Sequence, residues 1–439
     1  MMRSSDEGVV MALFFYTLLW YLLMPFLWVY LWVRGGKAPE YRKRWSERLV
    51  RNQPQGQLPY CVWVHAVSVG ETLAAAPMIK AFMQQYPETP ILVTTTTPTG
   101  SARVKALFGH RVHHVYCPWD VPSAWRRFFA AYQPRLALIV ETELWPNLMA
   151  TAKRLEVPVW LVNGRISQQS YLGYRRLRAI TTPAIQVYDG MLVQTKEEAQ
   201  RYICLGADPA KVHVTGSIKF DLRLTEAMKQ KAIQQREAFG QRPVWVAAST
   251  HEGEEEAVLR AHKEVLAALP EALLVLVPRH PERFDGIADL IERQGLSFCR
   301  RSRKEEPTTE TQVYLGDSMG ELLMLYGAAD LAFVGGSFVD VGGHNLLEPA
   351  AWEHPVLSGP VLYNFERIAE LLEEAGALTL VQNSRELAQE VIALFADPDR
   401  REREGEAAAR VVAAHGGALQ KTLDQLSRVW PCAASSRST

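Results

Sequence analysis

Apolar residues are distributed along this 439-residue chain in two different ways. The first is a single block, Val9 to Val33, 25 residues without one charge. As a helix it would extend ~37 Å at 1.5 Å per residue, enough to cross a ~30 Å hydrocarbon core with some tilt. Nine of its residues are aromatic, and Trp28, Tyr30 and Trp32 gather near one end, where a headgroup interface favours them. Pro25 predicts a kink and leaves shallow or re-entrant burial open. The block is too long for the apolar region of a signal peptide, and no small-residue cleavage site follows. A retained membrane anchor over residues 1–35 is expected.

The second way is a series of short apolar runs, each bounded by Gly, Pro or polar residues. Tyr60–Val67, Ile91–Thr95, Leu136–Val140, Val157–Val162 and Met191–Gln194 read as strands, with helical stretches such as Leu73–Gln85 and Pro122–Tyr132 between them. A second series runs through Pro243–Ala248, Leu273–Pro278, Gln312–Leu315, Leu331–Val334, Pro355–Leu357 and Leu378–Val381. This alternation predicts doubly wound parallel sheets, an α/β fold. Leu222–Gln241 is charged, Gln-rich and without a strand signal, so the connection between two Rossmann-like domains is placed at 222–241, with the helix-like stretch itself assignable to either half. The domains are then 36–221 and 242–430, with a tail over 431–439 in which Ala433–Thr439 look disordered. Two such domains imply a cleft, and ligands of these sheets collect beyond the carboxyl ends of the strands.

Composition narrows the choice. Hydrophobic residues make up 48% and charged residues 22%, which suits chains with a sizeable core. Lys+Arg and Asp+Glu are 48 each, so the basic surplus needed for general nucleic-acid binding is missing. Cys61, Cys117, Cys204, Cys299 and Cys432 are an odd, scattered set without C-x-x-C spacing, which argues against a disulfide framework or a zinc ribbon. Between Arg34 and Arg48 stand six basic residues (Arg34, Lys37, Arg42, Lys43, Arg44, Arg48) against Glu40 and Glu47. By the positive-inside rule the bulk of the chain is cytoplasmic, and the same cluster could hold anionic headgroups or be a solvated linker.

Chemistry is expected just after strands. SVGET at 68–72 places Glu71 in the first turn of a helix, where position alone favours an ordinary cap. ETELWPN at 141–147 sets Glu141 and Glu143 at a strand end, suited either to proton transfer or to plain loop charge. VTGSIKFD at 214–221 leaves a strand through Gly216 and presents Lys219. LVLVPRHPERF ends a strand in Pro278 and Arg279, whose planar fork suits phosphate or carboxylate. GDSMGELL at 316–323 is another strand-to-helix turn. FVGGSFVDVGGHNLLEPAA at 333–351 carries four glycines, and His344 and Asn345 open a helix through Glu348. Backbone N–H groups there could receive a phosphate and Glu348 could accept ribose hydroxyl protons. It is neither GxGxxG nor Walker A. THEGEEE at 250–256 lacks the second zinc-ligand histidine, so its acids are read as capping and helix-dipole residues. His113 and His114 read as structural or surface residues.

These motifs, in order from about residue 12 to 425 and including KAPEYRKRWSER and TTTTPTGSARV, resemble the 3-deoxy-D-manno-octulosonic acid (Kdo) transferases of lipopolysaccharide synthesis. The resemblance implies a GT-B glycosyltransferase with two Rossmann-like domains facing a cleft. It would move Kdo with inversion from CMP-Kdo to a lipid A precursor such as lipid IVA, at the cytoplasmic side of the inner membrane. It further implies an N-terminal acceptor domain and a C-terminal CMP-sugar domain. Glu71 would be the general base, with Glu141 and Lys219 stabilising the transition state. CMP would contact Pro278, Arg279, Met319, Gly320, Glu321 and Asn345, Leu346, Leu347, Glu348. No metal or cofactor is expected, since Arg279 and Lys219 can balance one phosphate, and the partners are CMP-Kdo, the lipid acceptor and membrane lipids. The alternatives are a GT-B enzyme that uses a UDP-sugar and a membrane-tethered nucleotide-binding protein without catalysis. Every proposed site residue lies after Tyr60, so the N-terminal helix is expected to serve as an anchor alone.

Overall fold

The computed structural model describes residues 2–36, 38–51, 56–222 and 224–430. Cys432, Lys37 and the tail 431–439 lie outside them. The chain forms two compact units, Met1–Asp221 with Gly416–Thr439, and Leu222–His415.

In the first unit, β1 (Val62–His65), β2 (Ile91–Thr95), β3 (His113–Tyr116), β4 (Leu136–Val140), β5 (Val159–Gly164), β6 (Gly190–Val193) and β7 (Val212–Val214) pair in parallel, in the order β3-β2-β1-β4-β5-β6-β7. In the second, β8 (Val244–Thr250), β9 (Leu273–Pro278), β10 (Phe298–Arg300), β11 (Val313–Leu315), β12 (Leu331–Val334), β13 (Val356–Ser358) and β14 (Leu378–Leu380) also pair in parallel, ordered β10-β11-β9-β8-β12-β13-β14. The central strands are apolar throughout because helices cover both faces. Alternate residues feed separate cores: Cys61 and Trp63 one side of β1, Val62 and Val64 the other. Along β8, Trp245 and Ala247 face one core, while Val244, Val246 and Ala248 face its opposite.

The domain boundaries differ from the sequence expectation in two places. The segment 222–241 is no free connection: Thr225 caps a helix Glu226–Phe239 whose Ala232, Gln235 and Phe239 are buried in the second unit, with the Phe239 ring 5.0 Å from that of Tyr314. The last helix, Ala418–Val429, returns to the first unit. There the Asp221 carboxylate accepts N–H bonds from Gly417 and Leu419, and Ala418, Leu426 and Trp430 join the core with Phe82.

The N-terminal helix, Met2–Arg34, runs through Pro25 and is the one described helix long and apolar enough to cross a membrane. It does not stand apart as a bare anchor. Tyr16 Oη donates to Asp120 Oδ2 at 2.8 Å and Thr17 Oγ1 to Asn147 Oδ1 at 2.9 Å. Asp120 in turn accepts from the N–H groups of Asn147 and Leu148 and so caps the helix Pro146–Arg154. The basic collar is also only partly free. Arg48 is buried, donating to the Thr96 carbonyl, and Arg44 pairs with Glu47 and the His114 carbonyl.

Leu426 is 1% exposed, although it lies, with Ala418 and Trp430, about two hundred residues beyond the rest of its core. Leu426→Ala is expected to lower stability by about 2–5 kcal/mol through loss of buried methyls and the cavity left behind. Chemical unfolding of the full chain, with first-unit and second-unit probes, should show the change confined to the first unit.

Candidate active site

In an open parallel sheet the crevice for a ligand lies where the strand order reverses, because neighbouring strands there send their connections to opposite faces. In the first unit that point is between β1 and β4, which pair directly. The residues that leave these two strands are Val67–Glu71 and Glu141–Trp145.

Glu71 stands in the first turn of the helix Val69–Gln85. Ser68 Oγ accepts the Glu71 N–H at 3.3 Å, while Glu71 Oε2 accepts the Val67 N–H at 2.7 Å and Oε1 the Ser68 hydroxyl at 3.1 Å. Ser68 is thus the cap of this helix, and the Glu71 carboxylate ties down the two residues just before it. That carboxylate does more: burial pushes its proton affinity up to about 7, against the Val67 N–H, with Glu143 and Glu141 adding to the rise. Burial and Glu141 likewise raise Glu143 to about 7. Glu141 takes a left-handed φ of 63°, an uncommon backbone for a non-glycine residue. Its Oε1 is buried and takes no hydrogen bond, with Lys219 Nζ 3.4 Å away, and Arg165 Nε stands 3.8 Å from Oε2. Lys219 is held on a short turn, Ile218–Phe220, by Asn163 Oδ1, which accepts the Ile218 N–H. Tyr174 and Tyr188 hydroxyls donate to the carbonyls of Thr142 and Glu143 and pin the acidic loop.

The fold thus brings Glu71, Glu141 and Lys219 together, with Glu143 and Arg165 beside them. Sequence reasoning weighed Glu143 without choosing it and missed Asn163 and Arg165. Their signal was the strand end at NGR, 163–165, after Val157–Val162.

In the second unit the order reverses between β8 and β12. Here a residue set aside as a dipole filler has a specific task. Glu254, fully buried, accepts N–H bonds from His251, Gly336, Ser337 and Phe338 at 2.6–2.9 Å. One carboxylate therefore shapes the glycine loop after β12. A Cβ on Gly335 would stand 3.0 Å from both Glu254 Oε2 and the Thr250 Cα, so the loop can lie this close only with glycine there. His251 Nε2 meets His344 Nε2 at 2.8 Å with the rings stacked, and His280 abuts His251 edge-on. Burial, with Arg279 and the neighbouring histidines, lowers His344 to about 3. Arg279 opposes the burial that raises the carboxyl of Glu348, to which Asn345 Nδ2 also donates at 3.2 Å. Pro278 ends β9, and the Arg279 N–H is bonded to the Thr250 carbonyl. The Thr250 hydroxyl beside it is buried and unpartnered.

One expectation changes. The helix opened by His344 and Asn345 is a single turn, Leu347–Ala350, because Gly342 and Gly343 hold left-handed φ and the chain reaches helical geometry late. Its Leu347 N–H is already taken by Asn345 Oδ1, and the Leu346 and Leu347 side chains are wholly buried, which leaves only their backbone for a ligand. Glu321, in turn, is clamped by Arg301 at 2.7 and 3.1 Å and by the Ser318 hydroxyl, which keep it below the usual carboxylate range. Met319 beside it is 62% exposed and Gly320 supplies the positive φ of the turn. Among the described residues no cluster of metal-ligating side chains occurs.

Two parallel-sheet units, each with polar residues gathered at its switch point, define a GT-B-type α/β protein. A glycosyltransferase from Rickettsia africae shares this fold, with a TM-score of 0.53 over 85% of this chain and 99% of that one, at 13% identity. Residues 43–222 match the family described as 3-deoxy-D-manno-octulosonic-acid transferase (kdotransferase). The 3-deoxy-D-manno-octulosonic acid transferase of Haemophilus influenzae is 42% identical over 416 residues, covering 94% of this chain and 97% of its own. That of Bordetella pertussis is 40% identical over 426 residues, 94% and 98%. The chain belongs to the Kdo transferase family of glycosyltransferases.

Glu254→Ala would leave four N–H groups, those of Gly336 and Ser337 fully buried, without their acceptor. A loss of at least about 2 kcal/mol is expected, since an unsatisfied buried donor costs roughly 1–3 kcal/mol. Chemical unfolding measures it, and faster amide exchange at 336–338 should accompany it.

Proposed function

We propose that this enzyme transfers Kdo from CMP-Kdo to a sugar hydroxyl of a lipid A precursor, with inversion and without a metal ion. The observation that carries the reading is Glu71: a half-buried carboxylate at the β1/β4 switch point whose proton affinity is matched to neutral pH. The Kdo anomeric carbon is fully substituted and bears a carboxylate, so departure of CMP passes through an oxocarbenium-like state. CMP leaves as a phosphate that is a weak base, so no general acid is required. The acceptor hydroxyl must lose a proton, and a carboxylate of raised proton affinity is the better base for it. Lys219 and Glu141 orient the acceptor and balance charge, and Arg279 takes the donor phosphate. Glu348, raised by burial, and Asn345 suit ribose hydroxyls. Arg34, Arg42 and Lys43, exposed where the N-terminal helix ends, favour the cytoplasmic face of the inner membrane.

Incubation with CMP-Kdo and UDP-sugars in parallel, with an acylated disaccharide acceptor and mass analysis of the lipid product, tests the reading. Addition of Kdo from CMP-Kdo, unaffected by chelator, supports it. Turnover with UDP-sugars alone overturns it.

Glu71→Gln keeps the shape and removes the base, so kcat should fall by ~10²–10⁴-fold while CMP affinity holds. In the parent enzyme kcat/KM should rise with pH through about 7, as Glu71 loses its proton, then level off. Stability should move the opposite way: a carboxyl raised on folding binds its proton more tightly in the native state, so stability declines as pH rises from its unfolded value to about 7. The Gln variant should flatten the kcat/KM profile and remove the Glu71 share of the stability profile, leaving the share of Glu143, which is raised to about 7 as well.

A further inference from the structure

The N-terminal helix has two different long faces. Val9, Leu13, Tyr16, Trp20, Leu27 and Leu31, at steps of three, four or seven, are half-buried or buried against the first unit. This stripe spans 23 residues, ~33 Å. Along it Trp20 packs on Trp119 and Trp145, with ring centroids 6.0 and 6.1 Å away, and Trp28 packs on Trp119 and Trp45 at 5.3 and 5.0 Å. The Tyr16–Asp120 and Thr17–Asn147 hydrogen bonds fix its register. The other face, with Val10, Phe14, Phe15, Leu22, Phe26 and Val29, is 60–71% exposed and carries no charge.

A helix that crosses a bilayer needs apolar surroundings over ~30 Å. Here one side of that length packs on the first unit. The helix packs against Arg178–Ile185, whose Arg178, with Arg175 and Arg176 just before it, is exposed. A crossing orientation would carry these arginines into hydrocarbon. An orientation parallel to the surface leaves them at headgroup level, where an anionic lipid pairs with them.

We propose that the helix lies in the plane of the membrane: its outward apolar face enters one leaflet of anionic lipid, and its inward face is a permanent part of the first unit. The inference deepens the membrane placement proposed above and rests on it. The amphipathic surface is then the long side of the helix plus its flanking arginines, and Asp120 and Asn147 join it to the helix that follows the Glu141–Trp145 loop.

The test uses the full chain with Cys204 and Cys432 replaced by serine, since Cys61, Cys117 and Cys299 are buried. Nitroxide labels are placed at Phe14→Cys and Val29→Cys, both exposed, on vesicles of neutral and anionic phospholipid. Oxygen and nickel-chelate relaxation then measure their depth. In-plane binding puts both labels at similar shallow depth, whereas crossing separates them by ~22 Å along the normal, 15 residues of helix. In sealed vesicles with the protein added outside, Glu7→Cys should react with an impermeant maleimide without lysis. A depth difference near the crossing value, or reaction only after lysis, overturns the in-plane helix while leaving the membrane reading intact. Failure of the protein to float with vesicles of either composition overturns both.

Discussion

Parallel pairing of strands that are distant in sequence is the constraint on which this molecule depends. Because β1 pairs with β4, and β8 with β12, no crossover helix covers the carboxyl ends of those pairs. Two gaps result, each floored by buried sheet, and backbone groups that line such gaps need partners. In both units the partner supplied is a glutamate from the first turn of the helix that follows the first strand: Glu71 after β1 and Glu254 after β8. The homologous placement follows from topology, since that first turn is the closest side-chain position to the gap.

The two glutamates then diverge, and hydrogen-bond supply decides how. A buried carboxylate is costly unless donors replace its hydration. Glu254 receives four backbone N–H groups, and its lone pairs are spent on holding the glycine loop. Glu71 receives one N–H and one hydroxyl and feels two further carboxylates nearby, so its charge is under-compensated and its proton affinity climbs. A saturated carboxylate is structural; an under-supplied one can exchange protons near neutrality. The same reasoning separates Glu321, neutralised by a bidentate arginine, from Glu348, which has one amide donor and Arg279 at longer range.

Much of this was legible in the chain. The apolar runs at Ile91–Thr95, Leu136–Val140, Leu273–Pro278 and Leu331–Val334 are strands over the same residues, because buried parallel strands are apolar on both faces. Short outlying strands were not: β3, with His113 and His114, and β10, three residues with Cys299 and Arg300, carry too little apolar character to stand out. The return of Ala418–Val429 to the first unit could not be read, since a helix with one apolar stripe fits any complementary core. Glu71, Glu141 and Lys219 were found as residues following strands, and the resemblance selected among them. Glu254 was misjudged because three consecutive acids after a threonine look like dipole chemistry, and only the fold shows which one meets the loop 82 residues later.

The N-terminal helix was hidden for a different reason. Where all residues are apolar, hydrophobic periodicity vanishes, and the face toward protein cannot be told from the face toward lipid by hydropathy. The distinguishing information lay in the few groups able to hydrogen-bond. A tyrosine or threonine hydroxyl inside hydrocarbon wants a partner, and Tyr16 and Thr17 are adjacent on one side of the helix. Their partners are Asp120, a buried acid that already caps a helix, and Asn147, the second residue of that helix. Truncating the apolar block would therefore strip two donors from a buried polar network and uncover Trp119 and Trp145, next to the loop that holds Glu141 and Glu143. Physically, the apolar helix and the helix that follows the acidic loop are joined through Asp120 and Asn147.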